Sequence, residues 1–333
     1  MNERILIVSP EMHEQGGIAS VIKTYFDNNL EDGNVIYLSS YKTKNPLGEF
    51  VIFWFKFLSN LIFNGNIEIV HIHTSSKGSF LRKSMVMNVA KIFKKKTILH
   101  IHGSEFKVFY DKSPQIIKNY IKNTFDQTDC IIVLSKQWRD IITQYTDNKN
   151  IRIVYNPIKI HERNNLEKPI FLFMGRLGKR KGVFDIFKSA ENVCDEAVID
   201  LYGDGEIDKS LAPENVKIHT WVRGDEKEKI FKNAGVLLLP SYNEGLPISI
   251  LEAMSYGMPI ISTPVGGITE AVEDNINGFI VNCGDTKALA EKIDALCDKD
   301  LRKKMGQESY RIVKEKFDVE IIKQNLKEIY DEL

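Results

Sequence analysis

Apolar positions along this chain fall into short, nearly unbroken runs, separated by longer stretches where apolar residues recur at helical spacing. In the first half the runs are "RILIVS", "NVIYLS", "IEIVHIH", "TILHIHG", "CIIVLS" and "IRIVYN"; in the second they are "PIFLFMG", "AVIDLYG", "VKIHTWV", "GVLLLPS", "PIISTPV" and "GFIVNCG". A run that is apolar almost throughout suits a strand covered on both faces, and its alternation with helices predicts a parallel sheet. Two such series predict an α/β chain with two Rossmann-like units. The rhythm breaks in a Pro-flanked, charged stretch from Tyr155 to Pro169, which marks the linker. After Asp285 only helical patterns remain.

Composition narrows the function class. The chain has 333 residues, 43% hydrophobic and 27% charged, enough for about two domains with ample cores. Its 45 Lys and Arg equal its 45 Asp and Glu, so no global field draws it to nucleic acid or membrane. The four cysteines are widely spaced without a CxxC pair, which argues against a zinc site and a disulfide framework and fits a reducing cytosol. The amino terminus has no signal-peptide anatomy. The most apolar window, Val51 to Phe63, carries Lys56 and is too short to span a bilayer.

The stretch "PSYNEGLPISILEAMSYGMPIIS" (Pro240 to Ser262) holds the strongest chemistry. Pro247 at a first helical position starts a helix near Gly245, whose free N–H groups and dipole make an anion site at the carboxyl end of a parallel strand. Phosphate is the expected anion. Glu244 before the helix and Glu252 eight residues on could bracket a diphosphate and accept hydrogen bonds from hydroxyls. The alternative makes Glu244 a helix-start charge and Glu252 a solvated one.

After the first strand of the second half, "GRLGKRKG" sets Arg176 and Lys181 in one turn, a fork for phosphate oxygens and a point charge; Lys179 and Arg180 beside them keep open a plain solvated cluster. "YGDGE" with Gly203 and "PVGGITEAVED" follow strands, and their glycines allow close approach to a ligand, although a lone GxG is more often a turn. In the first half Gly16 and Gly17 follow the first strand without the third glycine of a dinucleotide fingerprint. His102 ends another strand, near His71, His73 and His100. The basic segment from Lys77 to Lys96, with Arg82, Lys83 and Lys91, suits an anionic lipid surface or a helix with a solvated basic face. The apolar window before it reads as a buried helix or a lip for a lipid-linked acceptor.

Taken together, "NEGLPISILEA", "GRLGKRKG", "PVGGITEAV", "HIHGSEF" and the early Gly-Gly resemble the retaining glycosyltransferases of family GT4, over nearly the whole chain and most strongly from Phe171 to Asp285. The resemblance implies the GT-B architecture: two Rossmann-like domains with parallel sheets facing a central cleft. It implies residues 1–158 as the acceptor domain, 165–312 as the nucleotide-sugar domain and 313–333 as a helix returning to the first domain. It also implies that Arg176 and Lys181 hold the diphosphate, Glu252 the ribose and Glu244 the sugar hydroxyls, with the amides of Gly245 and Leu246 nearby. His102 would lie beside the sugar, and Gly16 and Gly17 would close over the phosphates. No metal or other cofactor is expected, since cations and helix amides can carry the leaving-group charge.

The expected partners are a nucleotide-sugar donor, UDP first, a glycan or lipid-linked acceptor of a surface polysaccharide or glycolipid, and an anionic membrane touched peripherally from the cytoplasm. No nucleic acid is expected. "HTWVRGDEK" departs from the family's base region, so Trp221 either flanks the base or packs. Two other functions use the same residues: a GT-B sugar-nucleotide epimerase, separable by whether turnover needs an acceptor, and a non-catalytic nucleotide-sugar binding module.

Overall fold

The computed structural model describes residues 4–12, 16–28, 35–40 and 46–333. They form two compact units that divide between Pro157 and Ile158, with Val319–Leu333 counted in the first. The first unit contains β1 (Arg4–Ser9), α1 (Gly17–Asp27), β2 (Val35–Ser39), α2 (Pro46–Phe63), β3 (Ile67–Thr74), α3 (Gly78–Ile92), β4 (Lys96–Ile101), α4 (Phe106–Lys112), α5 (Gln115–Gln127), β5 (Cys130–Val133), α6 (Lys136–Thr143) and β6 (Ile151–Ile153). The second contains β7 (Ile170–Met174), α7 (Val183–Ala190), β8 (Val198–Tyr202), β9 (Val216–His219), α8 (Gly224–Asn233), β10 (Val236–Leu239), α9 (Ile248–Ser255), β11 (Ile260–Ser262), α10 (Ile268–Ala271), β12 (Gly278–Ile280), α11 (Thr286–Ala295) and α12 (Lys299–Lys316). Helix α13 (Val319–Asp331) closes the chain and belongs to the first unit.

Each of the twelve apolar runs is a strand. The sheets are parallel throughout, ordered β2-β1-β3-β4-β5-β6 and β12-β11-β10-β7-β8-β9. On one face of the first sheet Leu6, Val8, Val70, Ile72, Leu99 and Ile101 pack with Phe53 and Phe57 of α2, Phe80 of α3 and Phe125 of α5. Since successive strand residues point to opposite faces, His71, His73 and His100 emerge on the other side, against Tyr25 of α1 and Tyr330 of α13.

Three features depart from the sequence pattern. Helix α9 begins at Ile248, because Pro247 keeps an extended ψ of 124° and caps the helix from outside. The turn "NEGLP" is thus loop, and only the last part of the Glu244 to Glu252 interval rises along a helix. Lys83 does not join the basic face of α3: it is buried, on the stripe of Phe80, Ser84 and Met87. Cys194 and Cys297, far apart in sequence, place their sulfurs 2.9 Å apart as free thiols.

Arg302 of α12 shows how the second unit is tied together. Its guanidinium, 1% exposed, donates to the carbonyls of Leu166, Glu167, Leu296 and Cys297 at 2.6–3.1 Å, joining the chain that enters β7 to the end of α11. Arg302→Met leaves four carbonyls to find other partners, so urea unfolding should register a loss of about 3–5 kcal/mol. A loss under about 1 kcal/mol would mean that the carbonyls repair readily.

Candidate active site

In each sheet the chain runs outward in both directions from one place, and ligands of parallel α/β sheets sit at the carboxyl ends of the strands at that reversal. In the second unit the reversal lies between β7 and β10, which pair directly. The loop after β7 carries Arg176 and Lys181; the loop after β10 carries Ser241, Glu244, Gly245 and Leu246. The candidate residues of this half therefore sit where the topology leaves a crevice.

Local backbone chemistry joins the two loops. Gly182 adopts φ 73°, and a Cβ there would lie 2.1 Å from the Pro240 carbonyl oxygen, so only glycine fits. The Tyr242 N–H donates to the Arg180 carbonyl at 2.9 Å. Held in this way, Lys181 Nζ lies 2.5 Å from Glu244 Oε1, and Ser241 Oγ donates to the same oxygen at 2.8 Å. Glu244 is 6% exposed. An ion pair so poorly solvated holds both partners in fixed positions.

Arg176 is exposed and forms no ion pair among the described residues, a cation open to an anionic ligand. Glu252 is half-buried and ion-paired with Lys227 of α8, so it is not a solvated charge. Sequence reasoning missed Lys227 and Ser241. Ser241 could have been found from its place three residues before Glu244 in a loop after a buried strand; Lys227 has no such signal.

The glycines of the weaker motifs serve the protein's own backbone. A Cβ on Gly203 would lie 1.8 Å from the Gly175 oxygen, one on Gly205 2.0 Å from the Leu177 oxygen, and one on Gly266 (φ 61°) 2.1 Å from the Glu244 oxygen. The Gly267 N–H donates to the Gly245 carbonyl at 2.5 Å. These contacts pack the loops after β8 and β11 against those carrying Arg176 and Glu244. Gly16 and Gly17 differ: they are exposed, and a Cβ on either would meet nothing within 4 Å among the described residues.

A cavity of about 260 Å³ lies elsewhere in this unit, beside β7, β8 and α8, lined in part by Asp200, Tyr202, Glu226 and Lys229. It shares no residue with the loops just described. Trp221 is half-buried outside it.

In the first unit the reversal lies between β1 and β3. The chain after β1 leads to Gly16 and Gly17, and Pro10 and Met12 are held by Tyr37, whose hydroxyl donates to the Pro10 carbonyl at 2.7 Å and accepts from the Met12 N–H at 3.1 Å. His102, half-buried after β4, is held by its N–H to the Thr74 carbonyl at 2.8 Å. Its Nε2 lies 2.8 Å from His73 Nδ1 and its ring stacks on His100, leaving Nδ1 as the nitrogen without a hydrogen bond among the described residues.

The column continues through His71, bonded to His100 at 3.2 Å and to the Tyr330 hydroxyl at 2.7 Å. Burial pushes His71 and His102 down to about 3 and holds His73 and His100 well below 6.5, so all four are neutral at physiological pH. Nitrogens of His71, His73 and His100 lie within 4.8 Å of one another, a spacing that admits a metal ion, but those of His71 are already engaged by His100 and Tyr330.

Comparison with known proteins agrees with this architecture. The chain matches the family described as Glycosyltransferase Family 4 over residues 4–162 and that described as Glycosyl transferases group 1 over residues 156–312. It is 26% identical over 292 residues to the N-acetyl-alpha-D-glucosaminyl L-malate synthase of Bacillus anthracis, covering 80% of this chain and 74% of that protein. Among solved structures, sucrose-phosphate synthase from Thermosynechococcus elongatus superposes with a TM-score of 0.81 at 17% identity, covering 99% of this chain and 98% of that one. Anabaena Alr3699/HepE in complex with UDP-glucose superposes with a TM-score of 0.76 at 16% identity, covering 99% and 100%. The fold is GT-B. The chain belongs to the GT4-like glycosyltransferases, with one family model matching each half of the sequence.

Proposed function

We propose that this glycosyltransferase moves a sugar from a nucleoside diphosphate, UDP in the first instance, to a hydroxyl of a glycan or lipid-linked acceptor, with retention at the anomeric carbon. The observation that carries the proposal is the fixed Lys181–Glu244 pair beside exposed Arg176 at the strand reversal. The UDP-glucose complex of Alr3699/HepE is the support for the donor class.

Cleavage of the C1–phosphate bond builds positive charge on the sugar and negative charge on the diphosphate. Arg176 and Lys181 stabilise the departing oxygens, already oriented before the reaction begins. Glu244 accepts hydrogen bonds from sugar hydroxyls while holding Lys181, the Gly245 and Leu246 amides lie alongside, and Glu252 accepts from the ribose. In the first unit, neutral His102 offers Nδ1 to the sugar, and Gly16 and Gly17 leave room for the phosphates; Gly203 acts by supporting the Arg176 loop. The new bond joins C1 to the acceptor oxygen, and the acceptor proton passes to the leaving phosphate, so no further base is needed. The residues supply these charges without a metal.

Helix α2 supports a lipid-linked acceptor in a surface polysaccharide or glycolipid pathway. Phe53, Phe57 and Leu61 are buried, while Val51, Phe55 and Phe63 are 67%, 74% and 83% exposed. No helix of the described residues is long and apolar enough to cross a membrane. Contact with lipid is therefore peripheral, through α2 and the exposed Lys77, Arg82 and Lys94 nearby in sequence. Phe55→Asp with Phe63→Asp should reduce sedimentation with phosphatidylglycerol vesicles about tenfold; unchanged binding would remove α2 from the membrane.

The test of function is nucleoside-diphosphate release from UDP-, GDP- and ADP-sugars, with and without lipid extract. Acceptor-dependent release from a UDP-sugar is expected. Equal release without acceptor, accompanied by an epimerised sugar, would replace transfer with isomerisation.

A further inference from the structure

Lys83 is the least expected charge in the molecule. It extends from α3 and is 2% exposed. Its Nζ donates to Ser40 Oγ, a neutral hydroxyl, and it forms no ion pair among the described residues. An ammonium has three N–H groups, so two of Lys83's lack an acceptor among those residues. Taking a cation out of water without a counter-charge costs several kcal/mol, which methionine in the same volume would avoid. Burial, with Arg82 beside it, pulls the Lys83 pKa well below the ordinary 10.5.

Its position is as informative as its burial. Ser40 follows β2, and α3 follows β3; in the strand order β2-β1-β3 a side chain running between them crosses the carboxyl end of β1. That is the reversal point of the first sheet, where parallel α/β sheets bind ligands. The site is built. Ser40 is tied to the Ser9 carbonyl by its N–H at 2.8 Å and its hydroxyl at 3.0 Å, and Tyr37 fixes the loop beyond Ser9. His73, near the carboxyl end of the adjoining strand β3, keeps a buried Nε2 without a hydrogen-bond partner among the described residues.

We propose that Lys83 and Ser40 form an anion site on the acceptor side, which takes a phosphate or diphosphate group carried by the acceptor. This rests on the transferase reading, because it divides two ligands between two sheets: donor diphosphate at Arg176 and Lys181, acceptor phosphoryl group at Lys83. The arriving anion supplies the counter-charge that the buried amine lacks among the described residues. The same phosphoryl chemistry could come from a prenyl diphosphate or from a free phosphate.

The test is calorimetric titration of the full chain and of Lys83→Met. UDP is titrated first and should bind both proteins alike. With UDP saturating, pyrophosphate and geranyl diphosphate are then titrated. The wild type should bind at least one of them in a 1:1 ratio, and Lys83→Met should bind it about 10- to 100-fold more weakly, the scale of a lost charge-assisted hydrogen bond. Tighter geranyl diphosphate binding would assign the site to a lipid-linked acceptor, and equal binding to the phosphoryl group alone.

Without ligand, Lys83→Met should melt about 2–4 °C higher, as expected when a desolvated charge kept for binding is removed. Equal anion binding by the two proteins, no binding by the wild type, or a variant that melts lower or fails to fold would overturn the proposal. Absence of UDP binding in the wild type would instead count against the donor site, and the Lys83→Met comparison would still decide this one.

Discussion

Replacing Lys181 with alanine is expected to lower turnover of a nucleoside-diphosphate sugar by about 100- to 1,000-fold, the cost of removing one preorganised donor from developing negative charge. The same change removes the cation 2.5 Å from a Glu244 that is 6% exposed, so stability should fall as well, by about 3–5 kcal/mol. Arg176→Ala separates the two effects. Arg176 is exposed and without an ion pair among the described residues, so its loss should leave stability within about 0.5 kcal/mol of the wild type while turnover falls on a similar scale. Steady-state kinetics beside urea unfolding of both variants makes the comparison. Full activity in Arg176→Ala would remove that loop from the reaction.

The second large effect is a loss of stability in mild acid. The four stacked histidines are neutral in the folded chain, with His71 and His102 held down to about 3 against an ordinary 6.5. Above pH 6.5 neither folded nor unfolded chain protonates them, and their contribution to stability is complete. Below 6.5 the unfolded chain takes up protons that the folded one refuses, so stability declines as pH falls toward 3. At pH 5 the loss is about 2 kcal/mol for each such group, hence about 4 kcal/mol for His71 and His102. The paired carboxylates Asp126 and Asp129, held below 3.8, add to the decline only at lower pH. Urea unfolding at pH 7.5 and 5 measures it; equal midpoints would show that the column accepts protons while folded.

What the sequence makes legible follows from which forces act locally. The twelve strands are plain because a strand covered on both faces must be apolar almost throughout. The Arg176 to Lys181 turn and the Glu244 to Glu252 stretch are legible because both follow such strands. The partners of these residues are not: Lys227 reaches Glu252 across 25 positions and Lys181 reaches Glu244 across 63, and nothing in either local pattern encodes the approach. Gly203 and Gly266 look like ligand-facing glycines, since close approach to a ligand and to a neighbouring carbonyl need the same missing Cβ. Lys83 had a signal that its neighbours obscured. It shares the helical stripe of Phe80, Ser84 and Met87, but within a basic run it read as one more surface charge.

The proposed donor site at the strand reversal of the second sheet is tested most directly by titrating UDP into the wild type and Arg176→Ala by calorimetry. The wild type should bind one UDP per chain, and the variant about tenfold more weakly or worse, having lost a charge-assisted contact to the diphosphate. A wild type that takes up no UDP, or a variant that binds it equally well, would contradict the placement of the diphosphate between these loops.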